Sequence, residues 1–193
     1  MDAREIRHVM GHFATGVTII TTKDKAGVPT GITANAFSSL SLDPPLVLVC
    51  IDKKANCYDC FEDSGLFAVN LLGEHQEHIA NRFATKGIEK FQDIAWHMSG
   101  NDIPLLDETI GYIECTVGPG YDGGDHTIYL GQVIHAQAAG ERPLLFFKGK
   151  YQRLRKRTRS AWGARGRMRW ARAGLKPAPT PPCAGTSRVE TCP

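Results

Sequence analysis

Short β-branched and apolar runs, joined by short turns, limit the folds open to this chain more than any other feature of its sequence. VTIITTK at residues 17–23 is typical of a strand, and a DKAG turn leads from it into a second strand. LVLVCID and LFAVNLL are continuous apolar runs with the length of buried strands. Strands are predicted at residues 17–23, 28–37, 46–52, 66–72, 110–117, 126–138 and 144–151.

Three short helices are predicted at residues 2–13, 56–63 and 74–84. The first places its apolar residues at helical spacing, and Asn56 is a candidate N-cap for the second. Hairpin-like connections dominate, and long crossovers between parallel strands are few, which favours antiparallel pairing. Because closure removes exposed sheet edges, the predicted fold is mostly β: a closed or nearly closed barrel with short peripheral helices.

The charge distribution divides the chain into two parts. Residues 1–151 carry 12 Lys and Arg against 19 Asp and Glu, a net charge of −7. Residues 152–193 carry 11 Lys and Arg against one acidic residue, a net charge of +10, and contain none of the eight Phe. A segment this basic and this poor in apolar residues cannot bury enough apolar surface to offset the conformational entropy that it would lose on ordering. We therefore predict one folded domain at 1–154 and a basic, Pro-rich, disordered tail at 155–193.

The composition also bears on binding partners and on location. Arg residues interleaved with Trp162 and Trp170 in the tail are typical of nucleic-acid or membrane-surface binding, but a tail with no selected role is favoured. No apolar run is long enough to span a membrane. Because the first residues lack the apolar core of a signal peptide, the six Cys are expected to be thiols in a reducing cytoplasm.

Three motifs that suggest cofactor or metal sites lack the context such sites need. GPGYDG at 118–123 has dinucleotide-binding spacing, but a strand follows it instead of a helix, which predicts a hairpin loop. Cys57 and Cys60 form a C-x-x-C pattern without a second ligand pair, which favours two ordinary thiols over a redox pair. His75 and His78 do not complete H-E-x-x-H, which favours a solvated helix face, so no metal site is predicted.

GITANAFSSLSLDPP at residues 31–45 is the candidate binding segment, because it replaces side-chain bulk with hydroxyl groups between two apolar strands. Its Thr33, Ala34 and Asn35 offer backbone amides and a carbonyl to the edge of a planar heterocycle. The candidates for holding a phosphate dianion are Ser38, Ser39, Ser41, Lys53, Lys54, Asn56 at the start of the second helix, and Arg82. A polar loop between strands is the alternative interpretation.

The order of motifs along the chain resembles the flavin reductase-like family, the FMN-binding split barrels. The resemblance rests on FATGVTIITT and on GITANAFSSLSLDPPLVLVCID, and it continues through FAVNLL, ANRFA, GDHTIYLGQV and RPLLFFKGKYQRL. It covers about residues 5–154. It implies a split β-barrel, antiparallel and Greek-key-like, and a homodimer with flavin sites near the subunit interface.

The resemblance implies roles for individual residues. The positions that match cofactor-binding segments are Thr33, Ala34 and Asn35 at the isoalloxazine ring, Cys50 and Ile51 beside it, Ser38, Ser39, Lys54 and Asn56 near the phosphate, and the pair Arg82 and Phe83. Many relatives carry a hydroxyl residue where this chain has Asn56, although an amide can also donate. His126 matches a residue that faces the flavin where nicotinamide stacks.

The implied function is an NAD(P)H-dependent flavin reductase using NADH or NADPH, with FMN as the flavin and FAD as the alternative. A partner monooxygenase is implied as the recipient of reduced flavin. Because the cofactor carries the chemistry, no catalytic triad or carboxylate pair is expected. Two alternatives stay open: a non-enzymatic FMN-binding electron-transfer protein, whose acidic body suits a basic redox partner, and a flavin-free barrel that binds nucleic acid through its tail.

Overall fold

The computed structural model describes residues 2–140 and 142–154, so the predicted tail lies outside the described residues. The helices of this part are α1 at Ala3–Met10, α2 at Tyr58–Ser64 and α3 at Glu77–Ala84. A capping box formed by Asp2 and Glu5 starts α1. The N-cap of α2 is Cys57 without a side-chain cap hydrogen bond, so the prediction of Asn56 as N-cap is wrong. None of these helices is both long and apolar enough to cross a membrane.

Strands make up about half of the described structure, far more than the helices do, as the alternation of apolar runs and turns predicts. They are β1 at Thr15–Gly16, β2 at Thr18–Lys23, β3 at Pro29–Ala34, β4 at Phe37–Leu42, β5 at Pro45–Asp52, β6 at Leu66–Leu71, β7 at Trp96–Met98, β8 at Pro104–Leu106, β9 at Gly111–Gly123, β10 at His126–Ala138, β11 at Leu144–Phe147 and β12 at Lys150–Arg153.

One seven-stranded antiparallel sheet has the order β3-β2-β6-β9-β10-β5-β4, beside a three-stranded sheet β1-β11-β12 and a β7-β8 pair. β3 and β4 form opposite edges of the large sheet, yet only Asn35 and Ala36 separate them in the chain. The sheet therefore coils until its two edges approach each other at these residues. The prediction of a mostly β, antiparallel fold is confirmed; pairing of β3 with β4, which would close a barrel, is not among the described strand pairs.

The β-branched strand β2 is buried on both faces and joins two hydrophobic clusters. Ile20 packs into a cluster with Phe61, Phe67 and Tyr129, whereas its neighbour Ile19 packs into a second cluster that contains Phe83. Burying side chains of this size stabilises the fold by about 1.5–3 kcal/mol each, so β2 is the strand on which both clusters depend.

Two segments differ from the sequence-based expectation. The serine run is not the polar loop of the alternative interpretation: Ser38 and Ser39 lie in β4 and pair with Leu48 and Val47 of β5. Residues 118–123 are not a hairpin loop either, because they form the end of β9, and the turn to β10 follows at Gly124 and Asp125. The expectation that no helix follows this glycine pattern is confirmed, since β10 begins at His126.

Candidate functional site

An open cleft of about 740 Å³ lies where the edges of the large sheet approach each other. Ligand clefts in proteins span about 300–1,000 Å³, so this one can hold most of a drug-sized molecule. Its walls come from the chain before β1, the starts of β1 and β2, the β3-β4 link, β5 and the end of β6. The lining includes Met10, Phe13, Thr15, Val17, Thr18, Asn35, Ala36, Phe37, Ser38, Leu48, Cys50, Leu71 and Leu72.

Asn35 is the central residue of the predicted ring site, and it lines three cavities: this cleft and two neighbours of about 560 and 190 Å³. The chain around it is fixed from both sides. Thr33 Oγ1 donates to the Ala80 carbonyl at 2.6 Å, and Thr18 Oγ1 donates to the Ala34 carbonyl at 2.7 Å. The Cys50 amide donates to the Ala36 carbonyl at 3.0 Å. The structure thus holds an exposed amide side chain on a rigid backbone.

Cys50 and His126 share one face of the sheet. Cys50 is paired with Ile128 on β10, and His126, two residues before Ile128, is paired with Asp52. Paired residues point to the same face, and diagonal neighbours lie about 7–8 Å apart. His126 is half-exposed, and its Nδ1 lies 2.7 Å from an Asp125 carboxylate oxygen. The structure therefore brings His126 close to the Cys50 side of the cleft.

The predicted phosphate ligands do not converge within one chain. Ser38 pairs with Leu48, and Asp52 at the end of β5 lies about 13 Å further along that strand, just before Lys54. The Lys54 amide donates to Asp52 Oδ1 at 2.8 Å, which fixes the turn while the Lys54 and Asn56 side chains stay exposed. The serines thus lie on one side of the Cys50 region and the lysine turn on the other.

Four further residues predicted to bind the ligand have side chains that are either hydrogen-bonded within the protein or buried. Lys53 pairs with Asp122 and donates to the Gly124 carbonyl at 2.7 Å, and the hydrogen bond with Asp122 raises the pKa of Lys53. Arg82 donates to the Lys90 and Glu89 carbonyls at 2.9 and 2.6 Å. The Ile51 and Phe83 side chains are buried core, so only their backbone is available to a ligand.

Sequence reasoning missed the aromatic walls supplied by the two ends of the domain. Phe13 lines the large cleft, whereas Phe146 and Tyr151 line the smaller cavity next to Thr33 and Asn35. Phe146 and Tyr151 belong to the motif RPLLFFKGKYQRL that carried part of the resemblance, and this was the one signal available for them. Thr15 Oγ1, in the cleft wall, is buried and has no hydrogen-bond partner among the described residues.

The side chains that line the cleft carry no formal charge. Burial raises the pKa of the Cys50 thiol, so it is protonated at neutral pH. A hydrogen bond from His126 holds the pKa of Asp125 below its usual value. No group of three metal-ligating side chains occurs among the described residues. Apolar walls, one exposed amide and a few hydroxyls suit the binding of a flat, polar-edged molecule.

The residues present fit an isoalloxazine ring with a ribityl chain. Phe13, Phe37 and Leu48 supply apolar surface for the ring, and Asn35 and the unpartnered Thr15 hydroxyl supply hydrogen-bonding groups for a polar edge. Ser38 on one side and Lys54 on the other offer two directions for an anionic chain end. This fit depends on the size and lining of the cleft and not on the sequence motifs that resemble the family.

Comparisons with known proteins agree with this description of the site. Residues 10–155 match the family model described as "Flavin reductase like domain". The chain is 43% identical over 152 residues to the flavin-dependent monooxygenase reductase subunit HsaB of Rhodococcus jostii strain RHA1, covering 78% of this chain and 77% of that protein.

Solved structures show the same similarity. The structure of nitrilotriacetate monooxygenase component B from Mycobacterium thermoresistibile superposes with a TM-score of 0.76 at 42% identity, covering 83% of this chain and 92% of that one. The Streptomyces globisporus C-1027 NADH:FAD oxidoreductase SgcE6, in complex with NAD and FAD fragments, superposes with a TM-score of 0.76 at 36% identity, covering 81% and 94% of the two chains.

Proposed function

This chain belongs to the flavin reductase-like family of oxidoreductases, and on that premise we propose that it reduces a flavin with NADH or NADPH and supplies the reduced flavin to a partner monooxygenase. The single observation that carries the proposal is the cleft at Asn35 and Cys50, whose size and apolar walls fit a flavin and which is continuous with the sheet face of His126. The relatives named as reductase components of monooxygenases support the choice of partner.

We propose that the flavin ring lies in the large cleft, with Thr33, Ala34 and Asn35 along its polar edge and the backbone of Cys50 and Ile51 beside it. A flavin bound there supplies the hydride-accepting chemistry. The protein supplies position and polarity: the hydrogen bonds from Thr33 and Thr18 keep the β3-β4 link rigid, and rigid placement of the reactants can account for a large share of the rate.

His126 and the pair Lys54 and Asn56 are proposed to act on two edges of this site. His126 borders the ring face where a nicotinamide would stack, and its hydrogen bond with Asp125 holds the imidazole orientation. Lys54 and Asn56 are proposed to hold the flavin phosphate, because they follow the end of β5 closest to His126 and keep exposed donors. Ser38 and Ser39 then contact the opposite end of the ring or a ligand held by a second subunit.

The fold and assembly proposals follow from unpartnered surfaces. We propose a split barrel, because the β3 and β4 edges approach each other at Asn35 and Ala36 without pairing. We also propose a homodimer: α1 buries no residue, and Val9, Met10 and Phe13 on it and just after it are 65–72% exposed beside the cleft. Light scattering should give twice the monomer mass, and a purely monomeric chain at micromolar concentration would exclude the dimer.

The reductase proposal is tested by anaerobic mixing of the full chain, FMN or FAD, and either NADH or NADPH. Loss of the oxidised-flavin absorbance is the expected result. If FMN binds but neither nicotinamide reduces it, the electron-carrier alternative is correct instead. If FMN and FAD fail to bind at all, the flavin-binding role is wrong. Comparing FMN with riboflavin tests the phosphate contact, because Lys54 and Asn56 should favour FMN.

A further inference from the structure

A second cavity, of about 560 Å³, adjoins the flavin cleft and has a different character. It lies between α1 and the turn that joins β11 to β12. Met10, Phe13 and Asn35 line both this cavity and the cleft, so the two share a wall. A molecule bound in the cleft therefore has this cavity as its immediate neighbour. We call it the basic cavity, after Arg4, Arg7 and Lys148 in its lining.

The charge of the basic cavity is all of one sign. Arg4, Arg7 and Lys148 line it together with His8, and no acidic side chain does so. None of the three cations forms an ion pair within the described part of the chain. Residues 1–151 carry a net charge of −7, so three free cations in one concavity depart from the rest of the domain. A cleft lined by one sign of charge concentrates ligands of the opposite sign.

The backbone fixes the positions of these three cationic residues. Arg4 and Arg7 are three residues apart on α1, so they lie on the same side of the helix. Lys148 adopts φ +51° at the β11-β12 turn, and its amide donates to the Gly11 carbonyl at 2.7 Å. That hydrogen bond ties the turn to the end of α1. The two arginines and the lysine therefore face one another across the cavity on elements that are joined to each other.

Arginine is suited to this task because its guanidinium can bind two oxygens of one phosphate at once. The apolar part of the lining, Phe13 and Phe146, offers surface to a sugar or a base next to the phosphates. A flavin mononucleotide has one phosphate and no second nucleoside, so it does not need a further cavity of this size. A dinucleotide has a diphosphate and an adenosine to place.

We propose that the basic cavity holds the diphosphate of a dinucleotide through Arg4, Arg7 and Lys148, while the reactive ring of that molecule lies in the adjoining cleft, either as the flavin ring itself or as a nicotinamide stacked on it. The proposal rests on the function proposed above. Two molecules carry the required chemistry: the pyridine dinucleotide that donates the hydride, and FAD, whose diphosphate would lie here and not at Lys54 and Asn56, where the single phosphate of FMN is proposed to bind. In either case the cavity sets a preference for dinucleotides over mononucleotides.

Equilibrium binding to the full chain tests the proposal with four probes: FAD, FMN, NAD⁺ and nicotinamide mononucleotide. Arg4→Gln and Arg7→Gln should each weaken binding of one dinucleotide by about tenfold, with the matching mononucleotide unchanged. A loss for FAD alone identifies FAD as the occupant, and a loss for NAD⁺ alone identifies the pyridine dinucleotide. Higher salt should weaken that dinucleotide more in the unmodified chain than in either variant.

Lys25→Gln is the matched control, because Lys25 is exposed in the turn at the far end of β2, about 16 Å from the β3-β4 link. Losses no larger than those of Lys25→Gln would overturn the proposal. So would equal losses for FMN and FAD, because FMN lacks the second phosphate. Because binding is measured without turnover, the test stays readable even if the chain proves unable to reduce flavin.

Discussion

His126 shows how the sheet register, at the scale of single residues, decides which side chains can act together. It lies 76 positions after Cys50 in the sequence, yet the β5-β10 pairing places the two on one face. We expect His126→Ala to lower kcat/KM for the nicotinamide by about tenfold or more, because misplacing a reactant by 1 Å can cost two orders of magnitude. The affinity for FMN should change by less than about twofold, since His126 is proposed to act on the nicotinamide side.

The matched control is His135→Ala, an exposed histidine on the same strand that does not line the cleft. Stopped-flow reduction and flavin titration of both variants separate the two effects. If His126→Ala turns over at the rate of the unmodified chain, His126 has no part in the reaction. If it loses FMN affinity as strongly as turnover, it belongs to the flavin site instead.

Cys57 gives a prediction for the pH dependence of stability. Burial raises the pKa of the Cys57 thiol from 9.0 to about 11. The folded state therefore keeps a proton that the unfolded chain releases above pH 9. The stability that this thiol contributes is complete below pH 9 and is lost as the pH rises towards 11, by up to about 2–3 kcal/mol.

Urea unfolding under reducing conditions, from pH 8 to pH 11, measures this loss. Cys57→Ala should fall less steeply with pH than the unmodified chain. Val49→Ala is the control: it removes volume from the same hydrophobic cluster but no titrating group, so it should keep the original slope. Parallel slopes for Cys57→Ala and the unmodified chain would show that the thiol does not titrate differently on folding.

Asn70 is the residue through which whole elements are joined. Its buried side-chain amide donates to the Ile19 carbonyl at 3.0 Å and to Thr21 Oγ1 at 2.9 Å, and its oxygen accepts from the Leu106 amide at 2.9 Å. These bonds connect β6 with β2 and β8. Asn70→Ala removes all three of these buried hydrogen bonds, so we expect the free energy of unfolding to fall by about 2–4 kcal/mol.

Chemical denaturation measures that fall, and hydrogen exchange at the Leu106 amide shows whether β8 detaches first. The exposed Asn81→Ala on α3 is the matched control and should change stability by less than about 0.5 kcal/mol. A loss below about 1 kcal/mol for Asn70→Ala would mean that water replaces the lost partners and that Asn70 does not hold β8.

The elements also show what could be predicted from sequence and what could not. β2, β5 and β6 were predictable because their β-branched and apolar runs carry a local signal. The serine run was harder, because hydroxyl side chains favour turns, and it becomes strand β4 only through its pairing with apolar β5. β7 and β8 have three residues each and depend on contacts such as Asn70 with Leu106, which no local pattern encodes.

The candidate site also has one part that could be predicted from the sequence and one part that could not. The β3-β4 link at Asn35 was predictable because one continuous segment forms it. The walls of the cleft and its neighbours were not, since Phe13 and Phe146 come from opposite ends of the domain and meet through the β1-β11 pairing and the Lys148–Gly11 hydrogen bond. The spread of Ser38 and Lys54 to two sides of Cys50 likewise follows from strand register, which the residue types alone do not reveal.

At the scale of the whole molecule, both hydrophobic clusters and the cleft lining lie within residues 2–154, and the last described strand ends at Arg153. We therefore expect a chain ending at Leu154 to keep its flavin affinity and turnover within about twofold and its Tm within a few degrees, since it keeps this core and cleft lining. Flavin titration, NADH oxidation and thermal unfolding of the two chains, run side by side, make the comparison.

The same pair of chains separates a catalytic from a binding role for residues 155–193. These residues contribute most of the +10 charge of the C-terminal part, so low-salt binding to a short duplex DNA should be confined to the full chain if the tail binds nucleic acid. Binding of equal strength in both chains would place any nucleic-acid contact on the domain instead. A large loss of turnover on truncation would contradict a self-sufficient domain, and recovery by the separate tail peptide would show that the tail acts on the flavin site directly.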